Sequence, residues 1–143
     1  MTRAGMLLFG LFAASGLPPH AAAQLAKGAV ATLSPEQVKE AIFGVDMQGH
    51  SPSFAMDWRE CIEPGGATLY QTPAGVERGK AWVTVQGFAC FSYEDTGFAT
   101  ASCYRVSRKG DALTFTGEGG VVFIATEVRR GVKTCKPAED LIS

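Results

Sequence analysis

Histidine is nearly missing from this chain: 143 residues hold two, His20 and His50. A serine or cysteine nucleophile commonly needs a neighbouring histidine as its base. His20 falls in a segment expected to be removed, and His50 sits in Met47-Gln-Gly-His-Ser-Pro52, read as a polar, exposed loop. No base, orienting group and oxyanion donors come together, so the chain reads as a non-enzyme. Cys-x-x-Cys spacing is also missing, which excludes a thioredoxin-like centre and most zinc clusters. Charge is balanced, with 13 basic against 14 acidic residues, and gives no reason to expect nucleic acid or an anionic membrane as partner. Gly117-Glu-Gly-Gly120 is glycine-rich but has no Lys or Ser/Thr to complete a phosphate loop, so it reads as a turn. No cofactor and no metal is expected.

A long apolar run is missing too. The longest, Ala4 to Leu17, has 14 uncharged, mostly apolar residues, short of the about 20 that cross a bilayer. Arg3 precedes it, and Pro18-Pro19 and Ala21-Ala22-Ala23 follow it. That is the arrangement of a secretory signal peptide, so residues 1–23 are expected to leave and no stable membrane anchor to remain. Cutting 23 residues from 143 leaves 120, enough for one domain, and removing Arg3 takes the net charge from −1 to −2. The expected location is the periplasm or the exterior. All four cysteines, Cys61, Cys90, Cys103 and Cys135, stay with the mature chain, and an even count in an exported protein reads as two disulfides.

Residues 24–32 read as a flexible leader, and 33–143 as a single disulfide-stapled domain. In Leu33-Ser-Pro-Glu-Gln-Val38, Ser34 can cap a helix, Pro35 suits its first turn and Gln37 completes a capping box. The helix is predicted over about residues 35–43, with Val38, Ala41 and Ile42 as its apolar face. From Ser53 onward, β-branched and aromatic residues broken by Gly and Pro predict an antiparallel meander. Its first hairpin pairs Phe54–Cys61 with Ala67–Gln71. A loop over Thr72–Gly79 then leads to a third strand, Lys80–Tyr93. Val121–Thr126 is the last strong strand, and the segment around Pro137 reads as a tail.

In Phe88-Ala-Cys-Phe-Ser-Tyr-Glu-Asp-Thr-Gly-Phe-Ala-Thr-Ala-Ser-Cys-Tyr104, a two-residue loop at Thr96-Gly97 sets Cys90 opposite Cys103. They are therefore expected to be bonded to each other, leaving Cys61 for Cys135; a longer loop would shift the register and could send Cys90 to Cys61. A second loop at Lys109-Gly110 sets Val106 opposite Leu113 and Tyr104 opposite Phe115. Strand parity then puts Val83, Val85, Ala89, Phe91, Tyr93, Tyr104, Val106, Leu113 and Phe115 on one face, read as the core. Cys90, Cys103, Trp82 and Phe88 fall on the other, covered by the helix or the C-terminal segment.

Asp57, Glu60 and Glu63 could suggest acid–base chemistry or calcium, but they lack a calcium loop's alternation of oxygen ligands and read as solvated hairpin edges. The candidate binding residues are the aromatics Trp58, Tyr70, Trp82, Phe88 and Phe98. They suit a pocket or an interface, and equally the inner wall of a small barrel.

Gly79-Lys-Ala-Trp82, Cys90, Cys103-Tyr104 and Arg108-Lys-Gly-Asp111 together resemble a group of small exported proteobacterial proteins of unknown function. The resemblance spans roughly residues 54–116, and the Gly-x-x-Trp here is one residue longer than that group's tighter version. It implies a lipocalin-like half-barrel or a small β-sandwich and brings no activity with it. The expected fold is mainly β: an antiparallel meander of about six to eight strands forming a small barrel or sandwich, with one short N-terminal helix. The expected function is a non-enzymatic periplasmic or secreted binding module for a small apolar ligand or a protein partner. The alternative is an inhibitor of a periplasmic or secreted enzyme, with the leader entering a cleft.

Overall fold

The computed structural model describes residues 28–96 and 100–139. The expected signal peptide, the first residues of the leader and Phe98 lie outside them. A two-residue strand β1 (Ala31–Thr32) precedes helix α1 (Pro35–Ile42). Eight strands follow: β2 (Val45–Ser51), β3 (Met56–Ile62), β4 (Ala67–Thr72), β5 (Gly75–Val83), β6 (Phe88–Tyr93), β7 (Ser102–Lys109), β8 (Ala112–Thr116) and β9 (Val122–Arg130). Each of β2 to β9 pairs antiparallel with the next, and β9 returns to β2, closing an eight-stranded up-and-down barrel. β1 is an extra strand on β7, with Ala31 opposite Arg108. Closure removes the open sheet edges that an unclosed meander would present.

The helix begins as predicted. Gln37 N–H donates to Ser34 Oγ at 3.3 Å, and Ser34 N–H donates to Gln37 Oε1 at 2.9 Å. Val38, Ala41 and Ile42 are fully buried in one cluster with Val45, Ile62, Ala81, Ala89 and Val106. The helix therefore closes one end of the barrel and does not lie on its outer face. That end carries the β5–β6 turn, where Gly87 has φ +84° and a side chain would press on Pro35 at 3.3 Å. Burial here is what holds so short a helix, since eight residues are too few to be stable alone.

The predicted disulfide register is present although the loop is not a two-residue turn. Cys90 faces Cys103, and Phe88 faces Arg105, while β6 ends at Tyr93 and Glu94–Thr96 form a 3₁₀ turn. Both disulfides form as expected, Cys90–Cys103 and Cys61–Cys135. The second predicted register is shifted by two: Val106 faces Phe115 and Arg108 faces Leu113, because the β7–β8 turn is Gly110-Asp111. A shift of two preserves parity, so the core face survives it.

Three elements depart from expectation. His50 lies in strand β2, not in a loop; Gly49 and the following Ser-Pro disguised a strand whose inward residues are Val45 and Met47. The expected loop Thr72–Gly79 is mostly strand, turned tightly at Pro73-Ala74, with Thr72 opposite Gly75. The expected third strand is two strands, because the chain reverses at Thr84–Gly87, where Gly87 N–H donates to the Thr84 carbonyl at 2.9 Å. Val85 sits in that turn and is 87% exposed, so it leaves the core face.

Candidate functional site: an aromatic cavity at the open half of the barrel

Strand direction divides the barrel interior. Near the helix, small and branched side chains fill the space: Val45, Ile62, Ala81, Ala89, Val106 and Leu113. Toward the opposite end the inward residues become large and ring-shaped. They leave a cavity of about 100 Å³, open at its mouth. Met47 of β2 and Trp58 and Glu60 of β3 form one wall. Tyr70 of β4 and Phe91 and Tyr93 of β6 form the next, and Tyr104, Phe115 and Phe123 of β7, β8 and β9 complete the ring.

The rings hold one another edge to face. Trp58 meets Phe123 at 5.7 Å and 89°, and Phe123 meets Tyr104 at 5.7 Å and 89°. Trp58 also meets Phe115 at 6.3 Å. Tyr70 and Tyr93 lie 5.5 Å apart at a 37° tilt. Such pairs stabilise by about 0.5–1.5 kcal/mol each beyond area burial. Gly79 makes the space for it: a Cβ there would lie 2.2 Å from the Ser92 carbonyl oxygen and 2.7 Å from the Tyr93 ring.

Among the described residues that line the cavity, Glu60 is the one carboxyl. The Tyr93 phenol donates to Glu60 Oε2 at 2.8 Å. Thr68 Oγ1 reaches both Glu60 Oε1 and the Cys61 carbonyl, the latter at 2.9 Å. One hydroxyl carries one hydrogen. Both contacts are satisfied at once when Glu60 is protonated, donates to Thr68, and Thr68 donates onward. Burial acts in the same direction, pushing the Glu60 carboxyl from its ordinary 4.5 up to about 7, against the Thr68 and Tyr93 hydrogen bonds that lower it. Glu77, opposite Tyr70 on β5, adds a further upward push. Burial and the nearby Glu60 raise Tyr70 and Tyr93 well above the usual phenol range, and burial raises Tyr104, so all three remain neutral donors.

Trp58 Nε1 completes the set. Trp58 is 4% exposed, and its indole N–H has no hydrogen-bond partner among the described residues. A buried donor without a partner costs about 1–3 kcal/mol.

Of the candidate binding residues, the structure places Trp58 and Tyr70 in the cavity wall, and Trp82 and Phe88 away from it. Trp82 stands on the outer face opposite Cys90 and is 40% exposed. Phe88 is also outside, with the Arg105 guanidinium 5.2 Å from its ring centre, in a groove that includes Cys103 and Thr84. Of the three carboxylates read as solvated, Asp57 is exposed, pairing with His50 Nδ1 at 2.9 Å; Glu63 accepts from Cys135 N–H at 2.9 Å. Glu60 is buried, because parity on β3 turns it inward between Trp58 and Ile62. The sequence reading missed Met47, Phe91, Tyr93, Tyr104, Phe115 and Phe123 as cavity residues. Phe91, Tyr93, Tyr104 and Phe115 stood on the predicted core face, but a barrel's core face is also its lumen.

The outer wall opposite this groove is covered by the C-terminal segment. Arg59 holds Asp46 through two bonds of 2.8 Å and donates to the Lys136 carbonyl at 2.9 Å. Arg129 also contacts Asp46. Gln71 pairs with Ala138 in both directions, at 2.6 and 2.9 Å. With Cys61–Cys135 in place, Leu69, Val76 and Val132 form a second small core under this strap.

No family model, curated protein or solved structure matches this chain. Among the described residues no helix is long and apolar enough to cross a membrane, and no cluster of His, Cys, Asp and Glu has metal-binding geometry. The two disulfides are consistent with an oxidising compartment.

Proposed function

We propose that this protein is an exported, non-enzymatic binding module whose ligand is a small molecule held in the aromatic half of the barrel. The observation that carries the reading is the cavity itself, a ring of inward Trp, Tyr and Phe side chains around one buried carboxyl. Apolar rings supply most of the contact and a few convergent polar groups fix orientation, which is the usual make-up of a small-molecule site. A cavity of about 100 Å³ is small. Drug-sized pockets run about 300–1,000 Å³, and about 150 Å³ suffices for benzene, so only the head of a small ligand is enclosed. The ligand offers an apolar body and one polar group to meet Glu60 or the phenols of the lining.

The inhibitor reading has less support. Ala31 and Thr32 of the leader are tied to β7 rather than projecting, and the barrel retains a cavity. Native mass spectrometry of the protein isolated from the periplasm separates the two. The expected result is a chain beginning at Gln24 that carries a small-molecule adduct. A co-isolated enzyme on a barrel without an adduct would favour inhibition instead.

A further inference from the structure

We propose that the cavity is selective for a small organic cation, an alkylammonium head whose positive charge sits among the rings and faces Glu60. The inference rests on the binding-module reading and names its ligand class. Three features of the lumen support it. Aromatic rings surround the cavity on several sides, from Trp58, Tyr70, Tyr93 and Tyr104 among others, and aromatic rings attract ammonium groups through their negative faces, most strongly where water is excluded. Among the described residues, the ionisable groups of the lining are one carboxyl and three phenols, with no basic side chain. A second carboxylate, Glu77, pairs opposite Tyr70 on the same face of the sheet. A neutral apolar ligand would make no use of either carboxylate.

Glu60 suits this task because it can change state. Without a cation, its proton bridges to Thr68 and the Thr68 hydroxyl bonds the Cys61 carbonyl. With a cation, the carboxyl loses that proton to solvent, Thr68 and Tyr93 both donate to the carboxylate, and the ligand supplies the opposing charge. Binding therefore releases a proton near neutral pH and tightens as pH rises. The groups that face Glu60 are Thr68, Tyr93, Tyr70, Tyr104 and Glu77. The phenols remain neutral, so Glu60 is the group that carries this dependence.

The test compares choline with 3,3-dimethylbutan-1-ol, which has the same shape and hydroxyl but a carbon in place of the charged nitrogen. Titration calorimetry of the full mature protein at pH 8 is expected to show choline binding about tenfold more tightly than the alcohol, the scale of a desolvated cation–aromatic contact with a carboxylate nearby. Glu60→Gln should cut choline affinity about tenfold, leave the alcohol within about threefold, and abolish the proton release that accompanies choline binding at pH 6, where Glu60 still holds its proton. Glu77→Gln, a half-buried position, should weaken choline by a smaller factor and serves as a second variant. Equal binding of the two ligands, or tighter binding of the alcohol, would overturn the cation preference while leaving the cavity as a binding site. Failure of both to bind with a Kd below about 10 mM would overturn the binding-module reading as well.

Discussion

Tyr93 and Glu60 meet inside the barrel, the phenol O–H donating to Glu60 Oε2 at 2.8 Å across strands β6 and β3, which are not neighbours in the sheet. The bond crosses the lumen and ties opposite parts of the wall at the level where the apolar filling ends. It also links the stability of the fold to the protonation of one buried acid.

Stability should fall as pH rises from about 5 to about 8. Glu60 titrates at about 7 when folded and at its ordinary 4.5 when unfolded, so between these values the folded chain holds a proton that the unfolded chain has lost. The gap corresponds to roughly 3 kcal/mol, present in full below 4.5 and lost progressively until about pH 7. Urea denaturation of the wild type and of Glu60→Gln at pH 5 and pH 8 isolates this effect, because all other titrating groups are shared. The variant should be the more stable of the two at pH 8, and equal slopes with pH would contradict a buried Glu60.

Gly79→Ala should destabilise by at least about 2 kcal/mol, the scale of overpacking in a filled interior. The new methyl would meet backbone as well as the Tyr93 ring, and backbone cannot swing aside. Thermal unfolding decides it, and a neutral result would mean that the Gly79–Tyr93 approach is looser than 2.7 Å implies.

Loss of the Cys61–Cys135 bond should cost more than loss of Cys90–Cys103. The closed loops span 74 and 13 residues, and chain entropy gives about 4.5 and about 3 kcal/mol respectively. Cys61→Ser with Cys135→Ser also frees the strap that covers Arg59 and Asp46, a buried pair that depends on enclosure. Non-reducing peptide mapping checks the pairing itself, and a Cys90–Cys61 bond would contradict the β6–β7 register.

His50→Ala should leave ligand affinity within about threefold and stability within about 1 kcal/mol, since an exposed ion pair contributes little. The His50 and Asp57 side chains are 53% and 73% exposed on the outside of the barrel. A hundredfold loss of binding would place a site on the wrong side of the wall.

Helix capping and strand parity carried the reading of the fold a long way, and the Cys90–Cys103 pairing holds although the turn that suggested it is not the two-residue one expected. The Ser34 capping box, the Cys90–Cys103 register and the inward face of β6 to β8 were all legible, because each depends on residues close in sequence. Parity even absorbed an error: misplacing the β7–β8 turn by one residue moved pairs by two and left Phe115 inward. What failed depended on partners distant in sequence. Gly79 looked like a loop signal, yet it sits in β5 to admit Tyr93, 14 positions on. Strand β2 was invisible because its hydrophobic signal is only Val45 and Met47, and its pairing with β9 is what closes the barrel. The site was half legible. Trp58 and Tyr70 stood out as large aromatics, whereas Glu60 between them was read as solvated because nothing local shows that the sheet closes over it.

The indole signals of Trp58 and Trp82 provide the most direct test of the lumen as a binding site. The chain has two tryptophans, one in the cavity wall and one on the outer face, so nitrogen-15 NMR resolves them as two N–H peaks that Trp82→Phe assigns. Addition of choline at pH 8 should move the Trp58 peak as the ligand seats beside the indole ring, and leave the Trp82 peak where it was. Movement of Trp82 alone, or of neither peak at a concentration where calorimetry shows saturation, would contradict a ligand site inside the barrel.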